Sequence, residues 1–486
     1  MARRYPLQFE TARSRTRTGW AAFHRARDGF LHEQLRRRGR GTAYATYRPP
    51  DGNPLDCFLV PEDLRHHALV LGATGSGKSS LLEALARGYF AAKQGFTLFD
   101  PHGDLFTRVA AWGLHGSANM TLLDFSQPDL LLGWNPLTPW PDVDAGRQVE
   151  CLVGVLKRLY ADEAAASWAW GVKVHEIMTY ALRACIESAL PATLVDLRSC
   201  LLLPVLRHRL LATASPETRD YFLTRFGKRE MMYVSAVLNK LDPFLGSLAV
   251  QRFLGTPTST LDLFNLVNTR GALLVNLAKG ALGPTADVLG RLLVNVLQLA
   301  ALRRAAQPMA SRHPYALLLD EAHTLAGPES GLEDLLVSAR KYKVFVTLAA
   351  QSLSLFPARA RPHLLGNTGR QWFFRLPHSE ARLVADDLFE SQGSWWREAI
   401  RPYDTLDDPL LTPAEELRAR TRELANLPVG ACYWALKGQR YKGRRIQITA
   451  PERLPYRPGD LADRLRGAML RRLHPPDARD RTDVPF

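Results

Sequence analysis

Cysteine is scarce in this sequence: five residues in 486, at Cys57, Cys151, Cys185, Cys200 and Cys432. They are scattered and none forms a Cys-x-x-Cys pair, which argues against a disulfide framework or a zinc site and leaves buried free thiols as the expectation. Lysine is scarce as well, since arginine supplies all but 11 of the 63 basic residues. No apolar run reaches the roughly 18 residues of a membrane span. The best candidate, VLGRLLVNVLQLAAL from Val288, is interrupted by Arg291, Asn295 and Gln298 and reads as a buried helix. The opening MARRYPLQFE has no apolar stretch behind its arginines, so it does not read as a secretory signal. The expectation is a cytoplasmic protein, attached to a membrane complex peripherally if at all.

Positive charge is abundant. The formal net charge is +15, more than solubility requires, and it points to a polyanionic partner: nucleic acid or an acidic membrane face. Residues 1–50 hold twelve Arg against three acids, with Trp20, Phe23, Phe30 and Leu31 between them. Residues 1–65 therefore read as a basic arm or cap, either a polyanion contact or a solvated face. Hydrophobic content of 46% supports a packed core throughout.

Beyond the arm, the pattern is strand, helix, strand. ALVLG (68–72), FTLFD (96–100) and MTLLDF (120–125) are short apolar strands, and SSLLEALARGYFAAK is an amphipathic helix, as in a parallel α/β sheet that starts near Leu69. From 141 to 255 the sequence is helical and strand-poor. The α/β pattern resumes over 256–450 with GALLVNL, YALLLDEA, VFVTLAA and QWFFRL, and ACYWALK and RRIQITA form a closing antiparallel hairpin. The expected organisation is a first core segment at 66–140, an inserted all-α domain at 141–255, a second core segment at 256–450 and a loosely ordered tail from 451 to 486.

Gly72-x4-Gly77-Lys78-Ser79 is a complete phosphate-loop pattern, with a strand before it and a helix after it. Its nine residues, Gly72, Ala73, Thr74, Gly75, Ser76, Gly77, Lys78, Ser79 and Ser80, are the candidate nucleotide cradle. Glycines let backbone N–H groups point inward, and the helix N-terminus adds positive partial charge. Lys78 would reach the β- and γ-phosphates and Ser79 would ligate Mg²⁺. In YALLLDEAHTL, Asp320 would hold Mg²⁺ and Glu321 would polarise water, which favours hydrolysis over transfer to a small metabolite. Gln351 ends VFVTLAAQS, where it would sense the γ-phosphate or cap the next helix. Asp100, His102 and Asp104 in FDPHGD suggest a metal only weakly and read better as a shaping turn, with Asp100 as a possible aid to the active site. RFGKREMMYV (225–234) is a basic candidate for contact with DNA, or a solvated face.

GATGSGKS, FDPHGD, NPLTP (135–139), NLAKGALG (276–283), LLLDEAHTL, SARKYKVFVTLAAQS and GNTGRQWFFRL occur in the order that resembles the FtsK–HerA superfamily. Within it, the sequence resembles the conjugative DNA-transfer coupling ATPases of the VirD4/TraD/TraG type and HerA-like DNA translocases, over about residues 66–450. The resemblance implies an α/β fold: a RecA-like P-loop ATPase core with a parallel-dominated sheet plus an inserted all-α domain. It implies ATP and Mg²⁺ as cofactors, a homo-hexameric ring and sequence-independent DNA moving through its channel. It also implies an arginine pointing at the neighbour's nucleotide, carried here onto Arg340, with Arg375 and Arg370 as second choices. Coupling proteins of conjugation carry N-terminal membrane helices, where this sequence has its basic arm. The implied partners are membrane-associated transfer machinery or a separate nuclease. The alternative functions are a HerA-like motor in DNA end processing, a type IV secretion ATPase with protein cargo, and a slowly hydrolysing nucleotide-gated scaffold.

Overall fold

The computed structural model describes residues 29–48, 53–140, 143–159, 170–325, 332–389, 413–437, 444–450 and 452–474. Trp20 and Phe23 of the arm and the hairpin tip GQRYKG lie outside these. The strands are β1 (Thr42–Tyr47), β2 (Leu55–Leu59), β3 (Ala68–Leu71), β4 (Gly95–Asp100), β5 (Met120–Asp124), β6 (Ala272–Asn276), β7 (Tyr315–Leu319), β8 (Val344–Ala350), β9 (Arg370–Phe373), β10 (Ala431–Leu436) and β11 (Arg444–Ile448). The chain divides into two compact units: one takes the segment up to Ala92 with Thr347–Glu452, the other Lys93–Val346 with the segment from Arg453.

In the first unit, β3 lies between β8 and β9, parallel to both, in a register that pairs Leu71 with Ala350 and with Phe373. All four β3 residues are buried, which is why ALVL reads as an unbroken apolar run. Beyond β9 the pairing becomes antiparallel, through β10, β11, β1 and β2. The core of this unit thus begins before Leu69, contrary to the sequence expectation. β1 (TAYATY) has no apolar run of its own, and its partner β11 lies some four hundred positions along the chain. The helix Gly29–Arg37 turns Phe30 onto the rings of Tyr47 and Trp434, at 5.0 and 5.2 Å.

In the second unit, β7, β4, β6 and β5 run parallel. β6 and β7 are buried along their whole length. Between β5 and β6 the described elements are helical and include Ala145–Leu159, Val172–Ile186, Leu194–Leu202, Pro204–Leu211 and Lys228–Leu245. Pro204 splits LRSCLLLPVLRHRLL into two helices because it has no N–H for the first and fits the first turn of the second. Among the described residues, one helix, Pro284–Ala306, is long and apolar enough to cross a membrane, and 67% of its window is buried in the protein. Its Asn295 and Gln298 are buried in that packing, with the Asn295 amide donating to the Arg291 carbonyl at 2.8 Å.

The C-terminal segment corrects the expectation of a loose tail. Pro458–Leu473 forms a 16-residue helix with Leu461 and Met469 buried. Leu461, Leu465 and Met469 recur every four residues and make one apolar stripe, obscured in the sequence by the surrounding Pro, Arg and Asp. Arg472 secures its far end by donating to the Asn119 side-chain oxygen at 2.6 Å.

Candidate functional site

The candidate residues fall in both units. In the first, the loop after β3 is held by backbone contacts. Gly72 N–H donates to the Ala350 carbonyl (3.2 Å), Ala73 N–H to the Arg375 carbonyl (2.8 Å), and Gly430 N–H to the Ser76 carbonyl (2.8 Å). Gly75 and Gly77 have φ of 71° and 115°, left-handed backbone that favours glycine. Gly72 is also required by space, since a Cβ there would lie 2.5 Å from the Phe374 Cβ. Thr74, Gly75 and Ser79 are exposed, Ala73, Gly77 and Ser80 half-buried, and Gly72, Ser76 and Lys78 buried. The helix Lys78–Ala91 then starts, so its free N–H groups lie at the loop.

Two observations fit this loop to a phosphate. Lys78 Nζ folds back onto the carbonyls of Gly72 and Ala73, at 2.7 and 3.3 Å, placing a buried ammonium under the loop. The Ser76 hydroxyl is buried with no hydrogen-bond partner. A polyanion would engage both groups and the helix N–H groups.

Gln351 follows β8 directly, half-buried, one residue beyond the Leu71–Ala350 pair. The turn after it is fixed by Glu380, from the helix His378–Phe389. The Glu380 carboxylate accepts from Leu353 N–H (3.0 Å), Ser354 N–H (2.9 Å) and the Ser352 hydroxyl. Burial alone would raise its pKa, but these donors outweigh that and hold it below the usual carboxylate value. Sequence reasoning missed Glu380, because nothing in the spacing links it to a turn some thirty positions earlier.

The two second-choice arginines separate. Arg375 is exposed two residues past β9, beside the loop whose Ala73 it anchors. Arg370 opens β9 and is buried against Asp63, which also takes Arg37 Nη1 at 2.6 Å. Burial would raise the Asp63 carboxyl, but the two guanidinium groups hold it low. Arg370 also lies over the Trp372 and Trp434 rings, at 5.8 and 5.7 Å. A guanidinium so enclosed has no freedom to reach a neighbouring subunit, and Arg370 is withdrawn as a finger.

In the second unit, four parallel strands end on polar residues in register. Asp100 pairs with Asn276, Asn276 with Asp124, and Asp320 follows the Phe99–Leu319 pair, its N–H on the Phe99 carbonyl at 3.0 Å. This is the strand edge at which open α/β sheets bind ligands. Asp124 accepts from the Asn276 amide at 2.8 Å. Asp100 accepts from His102 N–H (2.9 Å) and Phe106 N–H (2.8 Å), so its carboxylate shapes the FDPHGD turn and the helix behind it. Among the described residues no cluster of metal ligands forms.

Asp320 is buried, and its Oδ1 accepts from Glu321 N–H at 3.0 Å. Glu321 is left-handed, with φ of 46° and ψ of 45°. A residue with a Cβ is strained there by about 1–2 kcal/mol. Its Oε2 lies 3.4 Å from His323 Nδ1, and its carbonyl accepts from Thr324 N–H at 2.9 Å. The same left-handed backbone occurs at Lys93, Ser117, Ala278 and Lys343, and at Glu321 it falls on the acid that follows Asp320.

Arg340 is exposed in the turn Ala339–Tyr342. The following Lys343 carbonyl accepts from Tyr315 N–H at 2.9 Å, which puts Arg340 near the start of β7 while Asp320 closes its end. About five residues of strand separate them, roughly 16 Å. RFGKREMMYV opens the helix Lys228–Leu245, with Arg225, Lys228, Arg229, Met231, Met232 and Tyr233 exposed.

Residues 54–123 match the family model described as Helicase HerA, central domain. No curated protein sequence matches the chain. Among solved structures, the unbound bacterial conjugative coupling protein TrwBΔN70 is similar at TM-score 0.61 and 16% identity, over 89% of this chain and 93% of that one. The plasmid coupling protein TrwB in complex with ADP and Mg²⁺ is similar at TM-score 0.57 and 17% identity, over 82% and 90%. VirB4 of Thermoanaerobacter pseudethanolicus is similar at TM-score 0.54 and 14% identity, over 85% and 97%. The chain thus shares its fold with these solved structures, and its residues 54–123 are similar to the HerA central domain.

Proposed function

We propose that this protein is an ATP-driven DNA translocase, working as a homo-hexameric ring in conjugative-type DNA transfer. The observation that supports it most is an intact phosphate loop and an intact Asp–Glu strand end in a chain with the coupling-protein fold. Bound ATP and Mg²⁺ would supply the phosphoryl group to be cleaved and part of the charge that neutralises it. Lys78 would leave the Gly72 and Ala73 carbonyls to meet the phosphates, which the loop N–H groups would also engage. Ser79 and Asp320 are the residues that would hold the metal. Glu321 orients and polarises the attacking water. Gln351, on the turn fixed by Glu380, reports the state of the terminal phosphate. Arg340, about a strand's length from the acid end of its own β7, serves a neighbouring subunit's nucleotide, and Arg375 remains beside its own loop as the reserve. The cargo reading rests on the +15 charge and the exposed basic start of the Lys228–Leu245 helix, which would grip backbone phosphates without regard to sequence.

The test is steady-state ATP hydrolysis by the purified chain with single-stranded DNA, double-stranded DNA or none, over a salt series, with Lys78→Ala as the blank. The expected result is stimulation by one DNA form that fades with salt. A Lys78-dependent rate indifferent to both DNAs would reject DNA as cargo and favour protein cargo, the secretion-ATPase alternative.

A further inference from the structure

The second unit holds a cavity of about 880 Å³ that has no part in the nucleotide reading. It lies between the segment around Trp140, the short helix Leu263–Leu266 and the end of the Pro284–Arg303 helix. One wall is aromatic: the Trp140 and Phe264 rings stand 4.5 Å apart, and the Arg303 guanidinium lies over Phe264 at 4.9 Å. The next residue, Arg304, also lines the cavity and is only 1% exposed.

Arg304 is a buried cation with neutral partners. Its Nε donates to the Asn268 side-chain oxygen at 3.0 Å and its Nη1 to the Tyr342 carbonyl at 2.7 Å. Its Nη2 is buried and has no hydrogen-bond partner. Burial brings the guanidinium down to about 10, so it stays charged near neutral pH. The carboxylate on the lining is Asp262, which is exposed and accepts from Asn265 N–H at 2.9 Å as the cap of its short helix. Two adjacent guanidinium groups, one desolvated and without an anion, beside two aromatic rings describe a complementary ligand. The acid group of that ligand would sit toward Arg303 and Arg304, and its flat apolar body against Trp140 and Phe264.

We propose that this cavity is a binding site for a small aromatic acid, a planar ring bearing a carboxylate or a phosphate. The site shares no residue with the phosphate loop and does not depend on the proposed ATPase function.

The test is calorimetric titration of the full chain with indole-3-acetate, phenyl phosphate and inorganic phosphate, repeated in Lys78→Ala, Arg303→Glu and Phe264→Ala. The expected result is saturable binding of at least one ring-bearing probe at one site per chain. That binding survives Lys78→Ala and weakens at least tenfold in Arg303→Glu. The carboxylate and phosphate probes identify which acid the site prefers. Arg303 is half-exposed, so its variant tests the charge without emptying the core, whereas Arg304 also supports the Tyr342 carbonyl. The proposal is overturned by the absence of saturable binding with either ring-bearing probe. It is equally overturned by binding unchanged in both Arg303→Glu and Phe264→Ala, by inorganic phosphate matching phenyl phosphate, or by loss of all binding in Lys78→Ala.

Discussion

Gly77 and Glu321 both stand in left-handed backbone just beyond a buried parallel strand, one in each unit, at φ of 115° and 46°. Glycine adopts that geometry without steric cost. At Gly77 an added Cβ would also come within 3.0 Å of the Gly430 Cα, so the position tolerates nothing larger. Glu321 has a Cβ and a carboxylate and adopts its left-handed backbone, φ 46° and ψ 45°, at a cost. In the proposed reading the phosphate loop would work through its backbone, with small side chains so that N–H groups can gather. The acidic strand end would work through side chains, one of them carried on left-handed backbone.

The largest effect expected from this contrast is on turnover. Glu321→Gln keeps the backbone and the size of the side chain but removes the base. ATP hydrolysis should fall by about 10²–10⁴-fold with nucleotide affinity retained, as measured by steady-state rates beside equilibrium binding of a fluorescent ATP analogue. An unchanged rate would break the contrast on the acidic side.

The next effect separates carboxylates by their partners. Asp63, in the loop unit, is buried between Arg370 and Arg37. Asp63→Asn leaves the buried Arg370 guanidinium without its anion, while Arg37 keeps Glu33 at 2.8 Å, and should cost about 3 kcal/mol of stability in the first unit. The pH dependence has its origin in the same cluster. The folded carboxyl is held below its unfolded value, so its contribution is complete above that value, about 3.9, and is lost as pH falls through the folded value. Glu380, also lowered, acts in the same sense. Thermal midpoints taken from pH 7 to pH 3 should drop in acid for the wild type and drop less for Asp63→Asn.

These residues also mark what could be read from the sequence. The parallel strands were legible because each is a short apolar run that stops on a polar residue, as in ALLLDE and FTLFD. The phosphate loop was legible because its glycines, lysine and serine are fixed in spacing. β1 and β2 were not, since β2 pairs with β1, β1 joins the sheet through β11 at the other end of the chain, and TAYATY carries no strong pattern. Asp63 and Glu380 were not legible either, because each acts on a partner that only folding brings near: Arg370 in one case, the Ser352–Ser354 turn in the other. Arg370 shows the converse failure. Its position near QWFFR makes it a reserve finger by sequence, but Asp63 takes its charge inside the protein.

A smaller effect tests the loop directly. Gly77→Ala places a Cβ in left-handed backbone against Gly430. The strain should cost about 1–2 kcal/mol. The lost loop geometry should weaken ATP binding about tenfold or more, measured with the same fluorescent analogue. Normal affinity would mean that the loop does not depend on this backbone shape.

The smallest effect concerns Glu321 alone, and two variants isolate it. Glu321→Ala removes the carboxylate and its contact with His323 while keeping the Cβ in left-handed backbone. Glu321→Gly removes the same groups and the strain as well. Both should be inactive, so activity cannot distinguish them, but stability can. Relief of the left-handed penalty is worth about 1–2 kcal/mol, and the greater freedom of glycine in the unfolded chain returns about 0.4–1 kcal/mol. Glu321→Gly should therefore be the more stable of the two by roughly 0.5–1 kcal/mol, the net of those two terms, seen as a higher thermal midpoint at neutral pH. An alanine variant as stable as the glycine variant would mean the backbone at Glu321 is not under strain. The acidic unit would then place its carboxylate with as little strain as the loop unit places its N–H groups, and the contrast between the two would reduce to chemistry alone.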